Sequence, residues 1–205
     1  MRTVDPARHQ TRRDAILNAA EAALTRAGLH GASMAVICRE AGMSPGHVYH
    51  YFDDKDAILA ALSARVLAAA LARFDVGFED DPIGAIKAFF DRARSQSSPG
   101  RRGFVLDLYA EAYRNPRVGQ IVTDHSDRLR QLFAERLAGA RARGLIPASI
   151  DTQASAAALV MLLDGSKFLA IRQPHWSDDQ ARAYTHRLID ALLVAPQVAD
   201  HGQSS

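Results

Sequence analysis

The sequence predicts an all-α protein, and three observations carry that expectation. No stretch alternates apolar and polar residues with the period of two that a half-buried strand needs. Apolar residues recur instead at helical spacing along nearly the whole chain. Gly, Pro, Ser and Asp stand at intervals suited to starting and stopping about nine helices. With 205 residues and 48% hydrophobic content, the chain can bury a core as one large domain or two small ones.

The first helix is expected from about Arg8 to Ala27, with Ile16, Ala20, Ala23, Leu24 and Ala27 on one face and Gly28 as its stop. Ser33 caps a second, Met34 to Ala41, ending at Gly42. A third, short helix runs from Pro45 to Tyr51 behind Ser44, because proline loses no needed donor at the first helical position. Asp53 or Asp54 caps a fourth to about Phe74, with Ile58, Leu59, Leu62, Val66 and Leu71 as its apolar residues. After a break at VGFEDDP, Asp81-Pro82 begins a fifth to about Arg94. SQSSPGRRG reads as a loop before a sixth helix, Phe104 to Arg114. Asn115-Pro116 opens a seventh that ends near Arg143-Gly144. Asp151 caps an eighth reaching about Arg172, and Ser177 with Gln180 forms a capping box for a ninth, to about Val194.

Charge and cysteine content narrow the function classes. The net charge is only +2, which permits nucleic-acid binding without requiring it. Residues 101–143 carry nine arginines against five acids, most simply a solvated helix face. Cys38 is the single cysteine, so an internal disulfide or a thiolate zinc site is not expected. The first fifteen residues lack the apolar run of a signal peptide, and the longest apolar stretch, Ala156 to Leu163, is too short to span a bilayer. A cytoplasmic protein without membrane partner, metal or cofactor is the expectation. No nucleophile elbow, phosphate loop, HExxH or paired-carboxylate pattern appears, so no enzyme is expected either.

The stretch AGMSPGHVYHYFDDKDAIL, residues 41–59, is the most specific feature. Two helices of about seven residues joined by Ala41-Gly42-Met43-Ser44 are too short to stand alone, and a helix-turn-helix fits them. Ile37, Ala41 and Val48 would face inward, with Gly42 taking the positive φ of the turn. Ser44, Pro45, Gly46, His47, Tyr49 and His50 would face outward, short or planar groups sized for a major groove ~12 Å wide. Lys55 would bring a positive charge and free backbone N–H groups at a helix start, where a phosphate can sit. Arg12 and Arg13 could reach a neighbouring phosphate or minor groove, or simply be solvated.

On these residues, Arg13 to Leu62 resembles the DNA-binding domain of the TetR family of bacterial transcription regulators. The family pattern has a hydroxyl residue before the second helix, then Ile-Ala-x-x-Ala-Gly-Val-Ser, a Gly, Tyr-x-Tyr-Phe and a Lys. Here those positions read Ser33, Ile37-Cys38-Arg39-Glu40-Ala41-Gly42-Met43-Ser44, Gly46, Tyr49-His50-Tyr51-Phe52 and Lys55. The resemblance implies that Ser33 and Ser44 bind phosphates as helix caps and that Pro45, Gly46 and His47 lie at the mouth of the groove. It places Tyr49 and His50 toward the duplex, and Tyr51 and Phe52 in the hydrophobic seam. Cys38 replaces the usual alanine, and Ala35 stands where many members carry a long polar side chain.

The resemblance further implies a helical second domain that binds a small-molecule effector and dimerises through two C-terminal helices of each subunit. The implied layout is a DNA-binding domain over residues 1–55, an effector and dimerisation domain over 56–195, and a disordered tail over 196–205. The eighth and ninth helices suit a homodimer, through Ser155, Ala156, Ala157, Ala158, Gly165 and Ser166 with Leu159, Met161, Leu162 and Leu163, and through Leu188, Ile189, Leu192 and Leu193. Residues from Gly144 to Ala170 also resemble the C-terminal domain of the BetI-like subgroup. Aromatic residues suggest an effector site from Phe89, Phe90, Phe104, Tyr109, Tyr113 and Phe168 with Met161. Glu111 and Asp164 lie among these and suit a cationic or hydroxylated ligand, or merely an arginine. The expected function is a ligand-responsive transcriptional regulator, a repressor released from a palindromic operator in double-stranded DNA. The alternative is a ligand-independent or architectural DNA-binding protein with a solid C-terminal core.

Overall fold

In the computed structural model the backbone is described for residues 6–74, 77–95 and 98–194, and the side chains of residues 6, 70–74 and 170 lie outside the description. The expected tail at 196–205, parts of the expected loops at 75–76 and 96–97, and the side chain of Leu71 therefore fall outside the described residues. All regular elements among the described residues are helices: α1 (Pro6–Gly31), α2 (Met34–Glu40), α3 (Pro45–Tyr49), α4 (Lys55–Phe74), α5 (Pro82–Ser95), α6 (Pro99–Ala112), α7 (Pro116–Ala142), α8 (Thr152–Ser166), α9 (Leu169–Arg172) and α10 (Asp178–Leu193). The chain divides into two compact units, Met1–Ala68 with Ser97–His125, and Ala69–Gln96 with Ser126–Ser205.

The first unit is built around Ile16, Ala20, Ala23 and Leu24 of α1, Ile37 of α2, Val48 of α3 and Ile58 and Leu59 of α4, all buried. Val118 of α7 belongs to the same core, and Phe104 and Leu108 of α6 pack against it. Gly28 breaks α1 as its sequence position suggests, with φ 69° and one further turn beyond it. Ala27 is exposed, so the apolar face of α1 ends a turn earlier than expected. On α4 Ile58, Leu59 and Leu62 are buried as expected, but the next buried position is Leu67, and Val66 is 39% exposed.

Helix α6 starts at Pro99, one turn and more before the expected Phe104. Ser98 accepts a hydrogen bond from the Arg101 N–H and Pro99 takes the first helical position, the same Ser-Pro device that opens α3. Gly100 lies directly against the Thr25 carbonyl of α1, where any Cβ would overlap the oxygen. A segment rich in Ser and Gly is thus a helix start whose glycine admits close helix packing.

In the second unit α5 lies along α10. Lys87 Nζ meets Asp190 at 2.6 Å, and His186 Nε2 lies 3.1 Å from both carboxylate oxygens of Asp91. Beneath them Phe89 packs edge-on against Phe133, centroids 5.5 Å apart, with Phe90 alongside. Asp151 caps α8 by accepting from the Gln153 and Ala154 N–H groups, and the Ser177–Gln180 capping box opens α10. α8 stops at Ser166 rather than near Arg172, because the Lys167 and Phe168 N–H groups bond three residues back, to Asp164 and Gly165. The intervening four-residue α9 makes α10 the expected ninth helix.

Candidate nucleic-acid interface

Local chemistry sets the helix-turn-helix. Ser33 Oγ accepts from the Val36 N–H at 3.3 Å and Ser44 Oγ from the His47 N–H at 3.4 Å, so each serine starts its helix. Gly42 adopts φ +63°, which lets the chain turn between them. Val48 is fully buried and fixes the rotation of α3. Because Val48 points inward, Ser44, Pro45, Gly46, His47, Tyr49 and His50 are all exposed, Tyr49 at 49%. α3 ends at Tyr49 rather than Tyr51, since the Tyr51 N–H bonds to the Val48 carbonyl and tightens the last turn. Phe52 is buried and Tyr51 half-buried in the same core.

Several positive groups have structural duties here. Arg13 Nη1 donates to the Tyr51 carbonyl at 3.5 Å and its guanidinium lies 4.4 Å over the Phe52 ring, so Arg13 braces the turn after α3. Arg12 is exposed. Lys55 Nζ donates to the Leu29 carbonyl at 2.9 Å. Two of its three ammonium donors lie beyond that bond. Asp54, not Asp53, starts α4, accepting from the Ala57 N–H at 2.8 Å and from Arg117 Nη2 at 2.8 Å. Those two hydrogen bonds, the backbone one first, hold the Asp54 carboxyl below the usual carboxylate range.

At least five of the nine arginines of the expected solvated face make ion pairs, and Arg114, Arg117, Arg130 and Arg143 remain exposed while doing so. Within the first unit Arg101 pairs with Glu21, Arg114 with Glu111 and Arg117 with Asp54 and Asp56. In the second, Arg130 pairs with Asp127 and Arg143 with Glu79.

The residues expected to meet an effector divide between the units. Phe104, Tyr109 and Glu111 are half-buried in the first, with Glu111 facing Arg114 at 3.6 Å. Tyr113, at the C-cap of α6, is 95% exposed and lines no interior. In the second unit Phe89 and Phe90 are buried core, and Asp164 meets Lys167 at 2.7 Å. Phe168 is 37% and Met161 74% exposed, so Met161 points to solvent rather than into a cavity. A groove of about 500 Å³ in this unit is lined by Asp127, Arg130, Gln131, Ala134, Glu135 and Gln153, none of them an expected effector residue. Its lining comes from α7 and the first turn of α8, where polar helix-face residues and Ala134 give no distinguishing signal in the sequence.

No helix among the described residues is long and apolar enough to cross a membrane, and none of their His, Cys, Asp and Glu side chains group in threes suited to a metal.

Residues 16–62 match the family described as bacterial regulatory proteins, tetR family, and residues 84–194 match the BetI-type transcriptional repressor C-terminal domain. The chain is 32% identical over 161 residues to the HTH-type transcriptional regulator UidR of Escherichia coli K12, an alignment covering 76% of this chain and 80% of the relative. It is 30% identical over 174 residues to the regulator BetI of Rhizobium meliloti, covering 79% and 77%. The fold matches that of Salmonella enterica GusR with a TM-score of 0.73 at 24% identity, over 94% of this chain and 99% of the other. A TetR-family regulator from Rhodococcus sp. matches with a TM-score of 0.77 at 24% identity, over 90% and 99%. The chain therefore belongs to the TetR family of bacterial helix-turn-helix transcriptional regulators.

Proposed function

We propose that the protein is a cytoplasmic, homodimeric repressor that leaves a palindromic operator when a small-molecule effector binds. The observation that carries the DNA-reading part is the row of exposed short and planar side chains on α3, held in register by fully buried Val48. In this reading Ser33 and Ser44 meet phosphates at the starts of α2 and α3. Pro45, Gly46 and His47 enter the groove first, and Tyr49 and His50 meet base edges or thymine methyls. Lys55 contributes a charge near the backbone while its bond to Leu29 holds it in place. Residues 1–55 carry this task, and residues 56–195 carry effector binding and dimerisation.

One short helix reads few base pairs, so specificity requires two copies ~34–36 Å apart. We assign the dimer contact to the apolar groups that α8 and α10 leave in solvent. Ser155, Ala156, Leu159, Leu163, Ile189 and Leu193 are buried within the subunit, whereas Met161 and Leu188 are 74% and 52% exposed. The contact face is thus the Met161 and Leu188 side of the two helices, and the other side is subunit core.

For the effector, the proposed contributors are Phe89, Phe90, Asp164 and Phe168 of the second unit; Phe104, Tyr109 and Glu111 belong to the first unit. Effector and DNA are coupled if each favours a different conformation of the dimer, and the coupling is reciprocal. One observation favours the second reading, a ligand-independent DNA-binding protein: Phe89, Phe90 and Phe133 pack edge-to-face as a closed aromatic core.

The test is capture of genomic fragments by the purified protein at moderate salt, followed by sequencing. A palindrome shared among the captured fragments supports the repressor reading, and small molecules related to the neighbouring genes are then assayed for release. Salt-sensitive capture without a shared sequence supports the second reading.

A further inference from the structure

Three imidazoles surround one phenol ring beside the proposed reading surface, and one of them comes from a different helix. The Tyr51 ring lies 4.7 Å from the ring of His9, 5.2 Å from that of His50 and 5.6 Å from that of His47, and His9 and His50 are 6.5 Å apart. Tyr51 is packed against the core, so it is a fixed platform; His47 and His50 are exposed and His9 is half-buried. His9 is the fourth residue of α1, in its first turn, and Arg8 and Arg12 are exposed on either side of it.

The charges around this cluster are mostly positive. From α1 come Arg8, Arg12 and Arg13, the last held by the Tyr51 carbonyl and the Phe52 ring. The nearest acid along α1, Asp14, accepts from Gln10 Nε2 at 3.1 Å. Beyond Phe52, Asp53 is exposed and Asp54 is committed to Ala57 and Arg117. Among the described residues none of the three imidazoles is paired with a carboxylate.

We infer that His9, His47 and His50 form a single proton-binding patch on the DNA-contacting surface, with His9 as a phosphate-contacting residue from α1, so that DNA binding takes up protons and tightens as pH falls. This rests on the proposed reading of α3. Imidazole is the side chain that ordinarily gains its charge between pH 8 and 5. A polyanion in contact favours the charged form of an imidazole, as any close opposite charge does. Linkage then requires affinity to rise wherever the complex binds more protons than the free partners. His9 widens the footprint from α3 to the start of α1, which places its imidazole toward the sugar-phosphate strand flanking the read groove.

The experiment measures affinity of the full chain for a mixed-sequence duplex of about 30 bp at constant ionic strength, at pH about 6 and about 8, over a series of salt concentrations. The expected result is binding at least about tenfold tighter at the lower pH, with a salt slope steeper by about 0.9 for each imidazole that gains charge against a phosphate. His9→Gln should reduce that ratio, and the triple variant His9→Gln, His47→Gln, His50→Gln should bring it to about one. His186→Gln, on α10 in the other compact unit, should leave it intact. Equal wild-type affinity at the two pH values overturns the inference, and so does a triple variant that keeps the wild-type ratio. Binding that is tight and pH-independent leaves the reading of α3 standing, whereas no duplex binding at low salt at either pH removes both.

Discussion

The backbone N–H of Leu29 donates to Asp107 Oδ2 at 3.1 Å, joining the end of α1 to the middle of α6 across 78 residues of sequence. The carbonyl of the same residue accepts from Lys55 Nζ at 2.9 Å. Gly28 just before it turns the chain with φ 69°, and a Cβ there would stand 2.5 Å from Asp107 Oδ2. Leu29 is 1% exposed, so both its backbone groups depend on these side chains once the helix has broken.

Removing the carboxylate should therefore cost stability through an unsatisfied donor. Asp107→Ala is expected to lose about 1–3 kcal/mol in urea unfolding, and Asp107→Asn, which keeps an acceptor, clearly less. Equal effects of the two changes would mean that the loss is one of packing rather than of the hydrogen bond.

The caps of the reading helices should serve the fold as well as the DNA. Ser44→Ala removes the acceptor for the His47 N–H and should cost about 1 kcal/mol in thermal or denaturant unfolding, with Ser44→Gly costing only a few tenths. Both changes should also weaken duplex binding, because each removes the same hydroxyl from the surface. Undiminished affinity in either variant would remove Ser44 from the contact set.

Asp54 should make stability sensitive to acid. Its folded carboxyl sits below the ordinary range, chiefly through the Ala57 N–H and then Arg117, so its stabilising effect is present above the unfolded carboxylate value of about 4 and is lost as pH falls through the lower folded value. Asp54→Asn should be less stable than wild type near neutral pH, and the gap should narrow in melts run below pH about 4. A gap that does not change with pH would assign the effect to shape alone.

On α10, Leu188 is 52% exposed and Tyr184 42%. Leu188→Arg should leave helical content unchanged, as surface substitutions usually do, while sedimentation shows a monomer. An intact dimer would place the contact elsewhere than the Met161 and Leu188 face.

What was legible in the sequence was local. Ser33, Ser44, Asp151 and Ser177 each act on N–H groups two or three residues ahead, so their residue type and spacing were sufficient to place four helix starts. The exposure of Tyr49 and burial of Val48 followed from the same short-range logic. Contacts made at long separation left no such mark: nothing about Asp107, Lys55 or His9 in isolation points to Leu29 or Tyr51. Gly100 reads as loop in the sequence because its helix packing depends on Thr25, a residue of another helix. The aromatic residues chosen for an effector illustrate the same limit. Phe89 and Tyr113 are alike in composition terms, yet one is 7% and the other 95% exposed, a distinction set by neighbours far along the chain.

The most direct measurement compares wild type and Tyr49→Ala on a captured operator fragment and on a mixed-sequence duplex, at one salt concentration. Tyr49 is 49% exposed beside fully buried Val48, so its removal should leave the fold intact. If α3 reads the bases, the variant loses about tenfold or more on the operator, within the ~1–3 kcal/mol typical of a base contact, and changes little on the mixed duplex. Equal affinity of the two proteins for the operator would contradict α3 as the reading helix.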